Sequence, residues 1–548
     1  MYVDTAKSIQ RGKTYVRHLL RDSFRENGKV KHRTVANLSS CSKQEIEAIK
    51  LALRHKGNLS KLVSIDDIET RQGMRIGAVW FLKFVADRLR LTEVLGGHQQ
   101  GKLGLWQIFA RLIDQGSRMS AVRLAENHAA CDLLGLEPFN EDHLYANLSW
   151  LAQNQERMEK QLFSLRYGQT PPRLFLYDVT SSYLEGGQNE LAAFGYNRDG
   201  KKGKMQLVIG LLTDSNGDPV AVRVFEGNTS DSKTVAEQIR VLANSFGVSR
   251  VTLVGDRGML KQTQTDQLSQ QCFHYITAIT KPQIDGLIRQ GTLQLELFEE
   301  NICEVKADGV RYILRRNPDR AAQLEQNRRG KLDKVNRYAA GKNLYLQEHP
   351  RAKVEVAKRN IQSKVNQLKI ENWVQVCSGD RALHIVVDEE AKKEKYKFDG
   401  CYVIKTDVPV KDAPAEVVHD RYKDLAWVER AFRTFKSGHL EVRPTFVRKK
   451  SNTRGHVFVV TLAYLLEREI DKYWNQIEAT VAEGIDELSS LRTVEITIAN
   501  TVCQKVPTPT GLSKKLLDAA EVKLPSVLPL RRAHVATRKK LVDERIKK

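Results

Sequence analysis

The sequence has little of what membrane and secreted proteins need. Its longest apolar run, at 457–466, has about ten residues, whereas a membrane-spanning helix needs roughly twenty. The opening residues, MYVDTAKSIQRGK, have no apolar segment, so no secretory signal is expected. The seven cysteines are scattered, contain no CxxC pair and are odd in number, which argues against a disulfide framework and a structural zinc site. We therefore expect buried thiols in a reducing cytosol, and neither a membrane protein nor a fibrous repeat.

Positive charge is what the sequence has in excess. Its 548 residues include 88 Lys and Arg against 66 Asp and Glu, a formal net charge of +22. With 41% hydrophobic residues the chain can bury several cores, and its length indicates more than one domain. This charge favours a nucleic acid over an anionic membrane, since no basic amphipathic helix stands out. The alternative is a basic protein whose charges are simply solvated.

The first 168 residues predict a basic arm followed by helices. Residues 13–25 and 29–39 read as two strands joined at Asn27-Gly28, a hairpin signal. Such a hairpin within residues 1–40 suits contact with a DNA backbone, and an ordinary hairpin packed on its neighbour is an equal alternative. Residues 41–168 are interpreted as a mostly helical DNA-binding region. Its expected helices cover 42–54, 74–91, 103–115, 120–134 and 142–165.

From residue 169 onward the pattern predicts an α/β fold. Three apolar strands (LFLYDVTSSYLE, KMQLVIGLLTDS and PVAVRVFEGN) precede a helix, the strand VTLVGDRG, a second helix and the strand HYITAI. This β-β-β-α-β-α-β order predicts a ribonuclease-H-like core, an antiparallel meander followed by parallel strands. We assign the core to 169–280 and 399–470, interrupted by a β-containing inserted domain at 281–398. Residues 471–548 end in a basic tail and are expected to serve dimerisation or DNA contact.

Two aspartates lie where strands of this core should pair. Asp178 interrupts an apolar strand, where a carboxylate is costly unless it binds a cation or hydrogen-bond donors. Asp256 ends another apolar strand, in LVGDRGM. Because the two strands are expected to be neighbours, the two carboxylates should meet at the surface of the sheet.

Glu429 is the third candidate carboxylate. In a single helix over 420–437, a helical wheel places Tyr422, Arg433 and Lys436 on the same edge as Glu429. An adjacent apolar stripe would dock this helix on the sheet. The alternative is a solvated face of charge pairs, which taken alone is the commoner arrangement.

Three carboxylates on a ribonuclease-H-like core predict two-metal phosphoryl transfer. Their oxygens are ligands that suit Mg²⁺ or Mn²⁺, with two ions per active site. Two such ions activate water or a 3′-hydroxyl and stabilise the leaving oxygen. Tyr422, Arg433 and Lys436 would then contact phosphates beside the scissile bond.

Several motifs together carry a family resemblance. The segments DVTSSY, FEGNTSD and GDRGM, the Tyr422/Glu429/Lys436 spacing and the opening RGKTYVRHLL resemble a DDE transposase of a bacterial insertion sequence. The group is the one with a Y-x2-R-x3-E-x6-K signature around the catalytic Glu, in its long-chain branch. One position departs from the signature, because Leu425 stands where it has Arg. Arg433 is the candidate replacement for that phosphate contact.

The resemblance implies roles for these residues and for the whole chain. Asp178 would bridge both metal ions, and Asp256 and Glu429 would each complete one. The protein would bind terminal inverted repeats on double-stranded DNA, act as a dimer in the synaptic complex and work in the bacterial cytoplasm at the nucleoid, not at a membrane. The reaction would be cut-and-paste transposition. A nuclease without strand transfer and a catalytically inactive DNA-binding relative remain as alternatives.

Further residues are candidates for DNA contact. Trp373 in the inserted domain would hold a flipped base, as the resemblance implies for some members, although a core tryptophan is the commoner role. The other candidates are basic: Lys201, Lys202 and Lys204 in the loop FGYNRDGKKGK, Arg257 beside Asp256, and Lys405 in the strand before the Glu429 helix. For the loop, a solvated hairpin tip is an equal alternative.

Overall fold

The computed structural model describes residues 1–10, 13–57, 68–299, 302–437, 440–443, 445–498, 501–528 and 535–537. It begins with an antiparallel sheet of β1 (Tyr2–Gln10), β2 (Lys13–Glu26) and β3 (Lys29–Asn37). The expected turn between β2 and β3 is present, with Asn27 and Gly28 at φ of 50° and 76°. Strand β1 was not predicted, because its residues are mostly exposed and show no apolar alternation. A serine-capped helix, α1 (Lys43–Arg54), follows.

The next described segment contains six helices and one strand, and it differs from the expected helices at two places. The elements are β4 (Ile68–Arg75), α2 (Gly77–Arg88), α3 (Leu91–Leu95), α4 (Gln99–Ile113), α5 (Arg118–Asn127), α6 (Ala130–Leu134) and α7 (Glu141–Tyr167). The single helix expected over 120–134 is broken at His128, whose backbone is extended. Strand β4 was not predicted, because its pairing partner lies more than 400 residues further along the chain.

The central sheet has the predicted ribonuclease-H-like strand order. Its first elements are β5 (Leu174–Tyr183), β6 (Gln206–Asp214), β7 (Pro219–Glu226), α8 (Asp231–Arg240), β8 (Thr252–Gly255), α9 (Gln262–Gln270) and β9 (His274–Ala278). Strands β7, β6 and β5 form an antiparallel meander, and β8 and β9 continue from β5 in parallel. Apolar residues on both faces of β5 and β6 explain why these strands are central and buried.

The segment expected as an inserted domain divides into two parts. Its elements are α10 (Lys281–Arg289), β10 (Cys303–Ala307), β11 (Val310–Arg316), α11 (Pro318–Glu348), α12 (Val354–Gln367), β12 (Val374–Ser378), β13 (Leu383–Val387) and α13 (Glu389–Tyr396). The β10–β11 hairpin extends the central sheet, because β11 pairs with the next strand, β14 (Cys401–Thr406). Helices α11 and α12 with the β12–β13 hairpin have a hydrophobic cluster of their own. The inserted body is therefore smaller than 281–398.

The remaining elements tie the two ends of the chain together. They are α14 (Ala415–Lys423), α15 (Leu425–Ser437), α16 (Lys450–Trp474), α17 (Val481–Ser490), β15 (Arg492–Ile498), β16 (Thr501–Lys505), α18 (Gly511–Ala519) and β17 (Val527–Leu528). Strand β15 pairs with β4, so the C-terminal region packs on the helical segment. Most of the basic tail, 529–534 and 538–548, lies outside the described residues.

Helix α16 joins the helical segment to the central sheet. Its apolar run is buried, in a hydrophobic cluster that also contains residues of α2–α7, β5, β6 and α15. At Gly455 the helix meets α7 so closely that a Cβ atom would lie 2.0 Å from the carbonyl oxygen of Leu148. No helix in the described part of the chain is long and apolar enough to cross a membrane.

Candidate catalytic site on the central sheet

The register of the central sheet brings Asp178 and Asp256 side by side. Strand β5 pairs with β8 in parallel, and Tyr177 is the partner of Gly255. Asp178 follows Tyr177 within β5, and Asp256 directly follows the last residue of β8, so the two aspartates occupy neighbouring positions at the same level of the sheet. This is the placement that the sequence predicted from the two apolar strands.

Helix α15 carries Glu429 across the face of the sheet that bears Asp178. Asp178 shares its face of β5 with Leu176, which belongs to the same hydrophobic cluster as Val428 and Phe435 of α15. Helix α15 packs on β5 and β6 through this apolar side. Glu429 itself is exposed, next to the buried Val428.

The helix predicted over 420–437 is interrupted. Helix α14 ends at Lys423, and α15 begins at Leu425. At the junction the Trp427 amide donates a hydrogen bond to the Asp424 carbonyl, three residues earlier in the chain. The helical wheel therefore applies only from Leu425 onward. Tyr422 nevertheless reaches the site, because α14 packs on β8 and β9 beside Asp256.

Asp256 and Glu429 are close enough to act electrostatically on Asp178. Burial, together with the negative charges of Asp256 and Glu429, raises the pKa of the Asp178 carboxyl to about 7. The amide of Val179 and the charge of Arg198 act in the opposite direction. The fold thus places Asp178 where burial and two neighbouring acids oppose its ionisation, which is typical of functional sites.

Among the described residues, each aspartate has a single oxygen that accepts hydrogen bonds. The Val179 amide donates to Asp178 Oδ1 at 2.7 Å, and the Arg257 amide donates to Asp256 Oδ1 at 2.7 Å. The Tyr422 hydroxyl also donates to Asp256 Oδ1, at 3.2 Å. Among the described residues, Oδ2 of either aspartate and both oxygens of Glu429 accept no hydrogen bond. Such unpartnered carboxylate oxygens fit a divalent cation of the magnesium type.

The carboxylates do not form a three-ligand metal site in the described part of the chain. Within the described ranges, no group of three or more His, Cys, Asp or Glu side chains is arranged so that it could hold one ion. Two ions that share Asp178 would each need one further carboxylate from the protein. Asp256 and Glu429 are the acidic groups whose charges act on Asp178 and could complete such pairs.

Lys436 lies in an ion-pair cluster that the sequence did not predict. Its Nζ donates to Oδ1 of Asp199 at 2.9 Å, and Arg443 pairs with the same oxygen. Asp199 Oδ2 accepts the Tyr183 amide at 3.0 Å, and the aspartate side chain is only 1% exposed. Asp199 was not predicted as a buried ion-pair partner, because it is the single acid in the basic segment FGYNRDGKKGK. The cluster anchors that loop to the last turn of α15.

The other lysine candidates lie in different surroundings. Lys202 is exposed, the Lys201 ammonium is 5.7 Å from the Tyr183 ring centroid, and Lys204 pairs with Glu185 at 2.8 Å. Lys405 is half-buried near Gln262 of α9, and burial lowers its pKa. Its DNA contact would require it to leave this position.

Two residues named from the family resemblance are buried. Trp373 is 1% exposed in the core of the inserted body and donates from Nε1 to the Tyr396 hydroxyl at 3.0 Å. This arrangement favours the core alternative over a base-stacking role. Leu425 packs in the main hydrophobic cluster, whereas Arg433 is exposed on α15. An arginine at position 425 would have to leave that cluster to reach a phosphate.

Two family models of transposases match the chain. Residues 3–62 match the N-terminal domain of IS1634 family transposases, and residues 169–466 match the transposase DDE domain, over more than half of the chain. No curated protein sequence matches. A solved structure, the piggyBac transposase synaptic complex with hairpin DNA, is similar with a TM-score of 0.35 and 8% identity, covering 75% of this chain and 76% of that one.

Proposed function

Since the chain belongs to the DDE transposases of insertion sequences, we propose that it binds the ends of its element and catalyses their cleavage and strand transfer. Asp178, Asp256 and Glu429 are the proposed catalytic residues. The observation that carries this assignment is the pairing of Tyr177 with Gly255, which puts two acids from distant parts of the sequence next to each other. The raised pKa of Asp178 supports the presence of further negative charge at the same place.

The proposed cofactor is Mg²⁺ or Mn²⁺, two ions per site, held by the unpartnered carboxylate oxygens. Bound there, such ions supply activation of the attacking water or 3′-hydroxyl and neutralise charge on the leaving oxygen. Neighbouring side chains would hold the carboxylates in position for this chemistry. The Tyr422 hydroxyl orients Asp256, since it donates to the oxygen that already accepts the Arg257 amide. The apolar side of α15 fixes Glu429 over the sheet.

Basic residues around this site are the proposed DNA contacts. Arg257 and Arg433 are exposed beside Asp256 and Glu429, and Lys202 is exposed in the loop that Asp199 anchors. Guanidinium and ammonium groups in such positions bind phosphates and position the duplex. Lys436 would act on DNA only by exchanging its bond to Asp199 for a phosphate.

The N-terminal sheet and the net charge support a double-stranded DNA partner. Strands β1–β3 are almost wholly exposed and belong to the segment matched by the N-terminal transposase domain. We propose that this arm and the helical region contact the element ends, that two copies assemble on paired ends, and that the protein works in the cytoplasm at the nucleoid. The charge of +22 predicts that end binding weakens steeply as salt rises.

Strand transfer separates this function from a nuclease. Incubating the full chain with DNA that carries the element ends, a target plasmid and Mg²⁺ is expected to give plasmid molecules joined to the ends. Gel analysis of the plasmid with labelled ends measures this. Cleaved ends without any joined product would support a nuclease instead, and end binding without cleavage would support an inactive DNA-binding relative.

A further inference from the structure

A pocket of about 390 Å³ borders the Asp199 cluster. It is formed by the turn between α4 and α5, the start of α7, the beginning of α16 and the loop that follows α15. Its size is within the range of pockets that bind small ligands. Arg443 lines the pocket and also pairs with Asp199, so it connects the pocket to the last turn of the Glu429 helix.

Arg118 is the central observation. It is the first residue of α5, it lines the pocket, and it is only 6% exposed. Its Nη2 lies 2.8 Å from Nδ1 of His456, which must accept because a guanidinium can only donate. The other ring nitrogen, Nε2, is 3.2 Å from the Val442 carbonyl and donates to it. The partner of this buried cation is therefore a neutral imidazole, which does not neutralise it.

The surroundings of Arg118 add positive charge. Arg111 is 5% exposed and donates to the backbone carbonyls of Gln115 and Gly116, neither of which is a charged group. Neither arginine forms an ion pair within the described residues, although the charges of Asp114 and Glu441 act on Arg111. Glu441 is the one carboxylate among the described residues that line the pocket, against three arginines. Burying unpaired cations is costly unless an anion completes the site.

Burial lowers the pKa of both arginines, and the charge of Arg111 also acts on Arg118. Burial, and to a smaller extent the charge of Arg111, lower the pKa of Arg118 to about 9. The pKa of His456 is held well below its ordinary value by burial and by both arginines. At neutral pH Arg118 stays charged and His456 stays neutral. The pocket therefore offers an anion a fixed guanidinium at its inner wall.

The outer wall of the pocket is aromatic. Phe446 is 71% exposed although it lines the pocket, and Tyr145 on α7 is 37% exposed. An exposed ring beside a buried guanidinium matches a ligand that has an anionic part and a flat apolar part. Nucleobases stack on aromatic side chains, and phosphates bind arginine.

We propose that this pocket binds a nucleotide unit, with its phosphate on Arg118 and its base against Phe446. The nucleotide could be free or part of a DNA strand, and the chemistry of recognition is the same in both cases. The DNA form of the proposal rests on the proposed function, whereas the free form does not.

The test uses the full chain with thymidine 5′-monophosphate and thymidine, measured by calorimetry without divalent ions. We expect the monophosphate to bind at least about tenfold more tightly than thymidine, since the nucleoside lacks the charge that Arg118 recognises. Arg118→Met is expected to remove this difference. It should also leave the melting temperature unchanged or raise it, because it replaces a buried unpaired cation by an apolar side chain.

Arg311→Met is the matched control. Arg311 is equally buried but pairs with Glu304 at 2.8 Å, so its loss should lower the melting temperature and leave monophosphate binding intact. Phe446→Ala, at an exposed position, should weaken monophosphate binding about tenfold and leave the binding of inorganic phosphate unchanged. The proposal is overturned when wild-type protein binds no monophosphate, or when Arg118→Met binds it as the wild type does.

A second measurement identifies the source of the nucleotide. When the pocket holds a nucleotide of DNA, Arg118→Met weakens the complex with element-end DNA in a gel-shift assay, and thymidine 5′-monophosphate competes with that DNA. When it holds a free nucleotide, monophosphate binding is lost and DNA binding is unchanged. Both outcomes support the proposal that the pocket binds a nucleotide through Arg118 and Phe446. Neither depends on cleavage, so failure of the carboxylate assignment leaves this test unaffected.

Discussion

Replacing Asp178 by asparagine is expected to abolish DNA cleavage and, at the same time, to make the folded chain more stable at pH 8. The loss of cleavage should be at least about a thousandfold, equivalent to roughly 4 kcal/mol of transition-state stabilisation. The gain in stability follows from the raised pKa of about 7, because folding holds this carboxyl where its charge is unfavourable. We expect the free energy of unfolding to rise by on the order of 2 to 4 kcal/mol at pH 8.

The pH dependence of this gain has a definite sign. The folded carboxyl binds a proton up to about pH 7, whereas the unfolded one releases it near its ordinary value. The wild type therefore loses stability as pH rises between these two values, and its deficit against Asp178→Asn is complete above pH 7 and absent below about pH 4. Urea unfolding at pH 4 and pH 8 measures the difference. Equal stability at pH 8, or normal cleavage, would contradict the prediction.

Loss of the Asp199 side chain is expected to produce the largest fall in stability. Asp199→Ala leaves Lys436 and Arg443, which are 12% and 24% exposed, without their shared carboxylate. It also leaves the Tyr183 amide without its acceptor. Removing one partner of a buried ion pair costs about 3–5 kcal/mol. Thermal and urea unfolding of the full chain should show this loss.

Asp231→Asn is the matched control for Asp199→Ala. Asp231 also pairs with an arginine, since it accepts two bonds from Arg198, but its side chain is 33% exposed. A pair this exposed contributes less than about 1 kcal/mol. Should the two variants lose similar stability, Asp199 does not hold the loop and the end of α15 together.

The core of the fold could be predicted from the sequence because its strands are local and apolar. Strands β5–β9 are each a short hydrophobic run with turns or helices between them, and their order along the chain leaves few topologies. The β4–β15 pairing could not be predicted, because nothing in either segment indicates a partner more than 400 residues away. The β10–β11 hairpin was assigned to the inserted domain for the same reason, since only β14 reveals where it pairs.

Residues of the site could likewise be predicted where the nearby sequence indicates their surroundings, and could not where those surroundings come from distant segments. Asp178 and Asp256 could be found because a charge in or beside a buried strand is rare and the register of neighbouring strands is fixed. Asp199 could not be found, because its burial depends on Lys436 and Arg443, which are far away in the sequence. The composition of its loop indicates only a basic surface. Helix periodicity also missed the break at Asp424, which no proline or glycine marks.

Mapping the bound ion directly is the most decisive measurement. Fe²⁺ in place of Mg²⁺, with ascorbate and hydrogen peroxide, generates hydroxyl radicals that cut the polypeptide next to the ion. With element-end DNA bound, we expect cuts near 178, 256 and 429, and excess Mg²⁺ should suppress all of them. Asp178→Asn should lose these cuts. Glu185→Gln is the control and should keep them, because Glu185 pairs with Lys204 and is not one of the three proposed ligands. Cuts in only one of these three segments, or unchanged cuts in Asp178→Asn, would contradict a metal site shared by the three carboxylates.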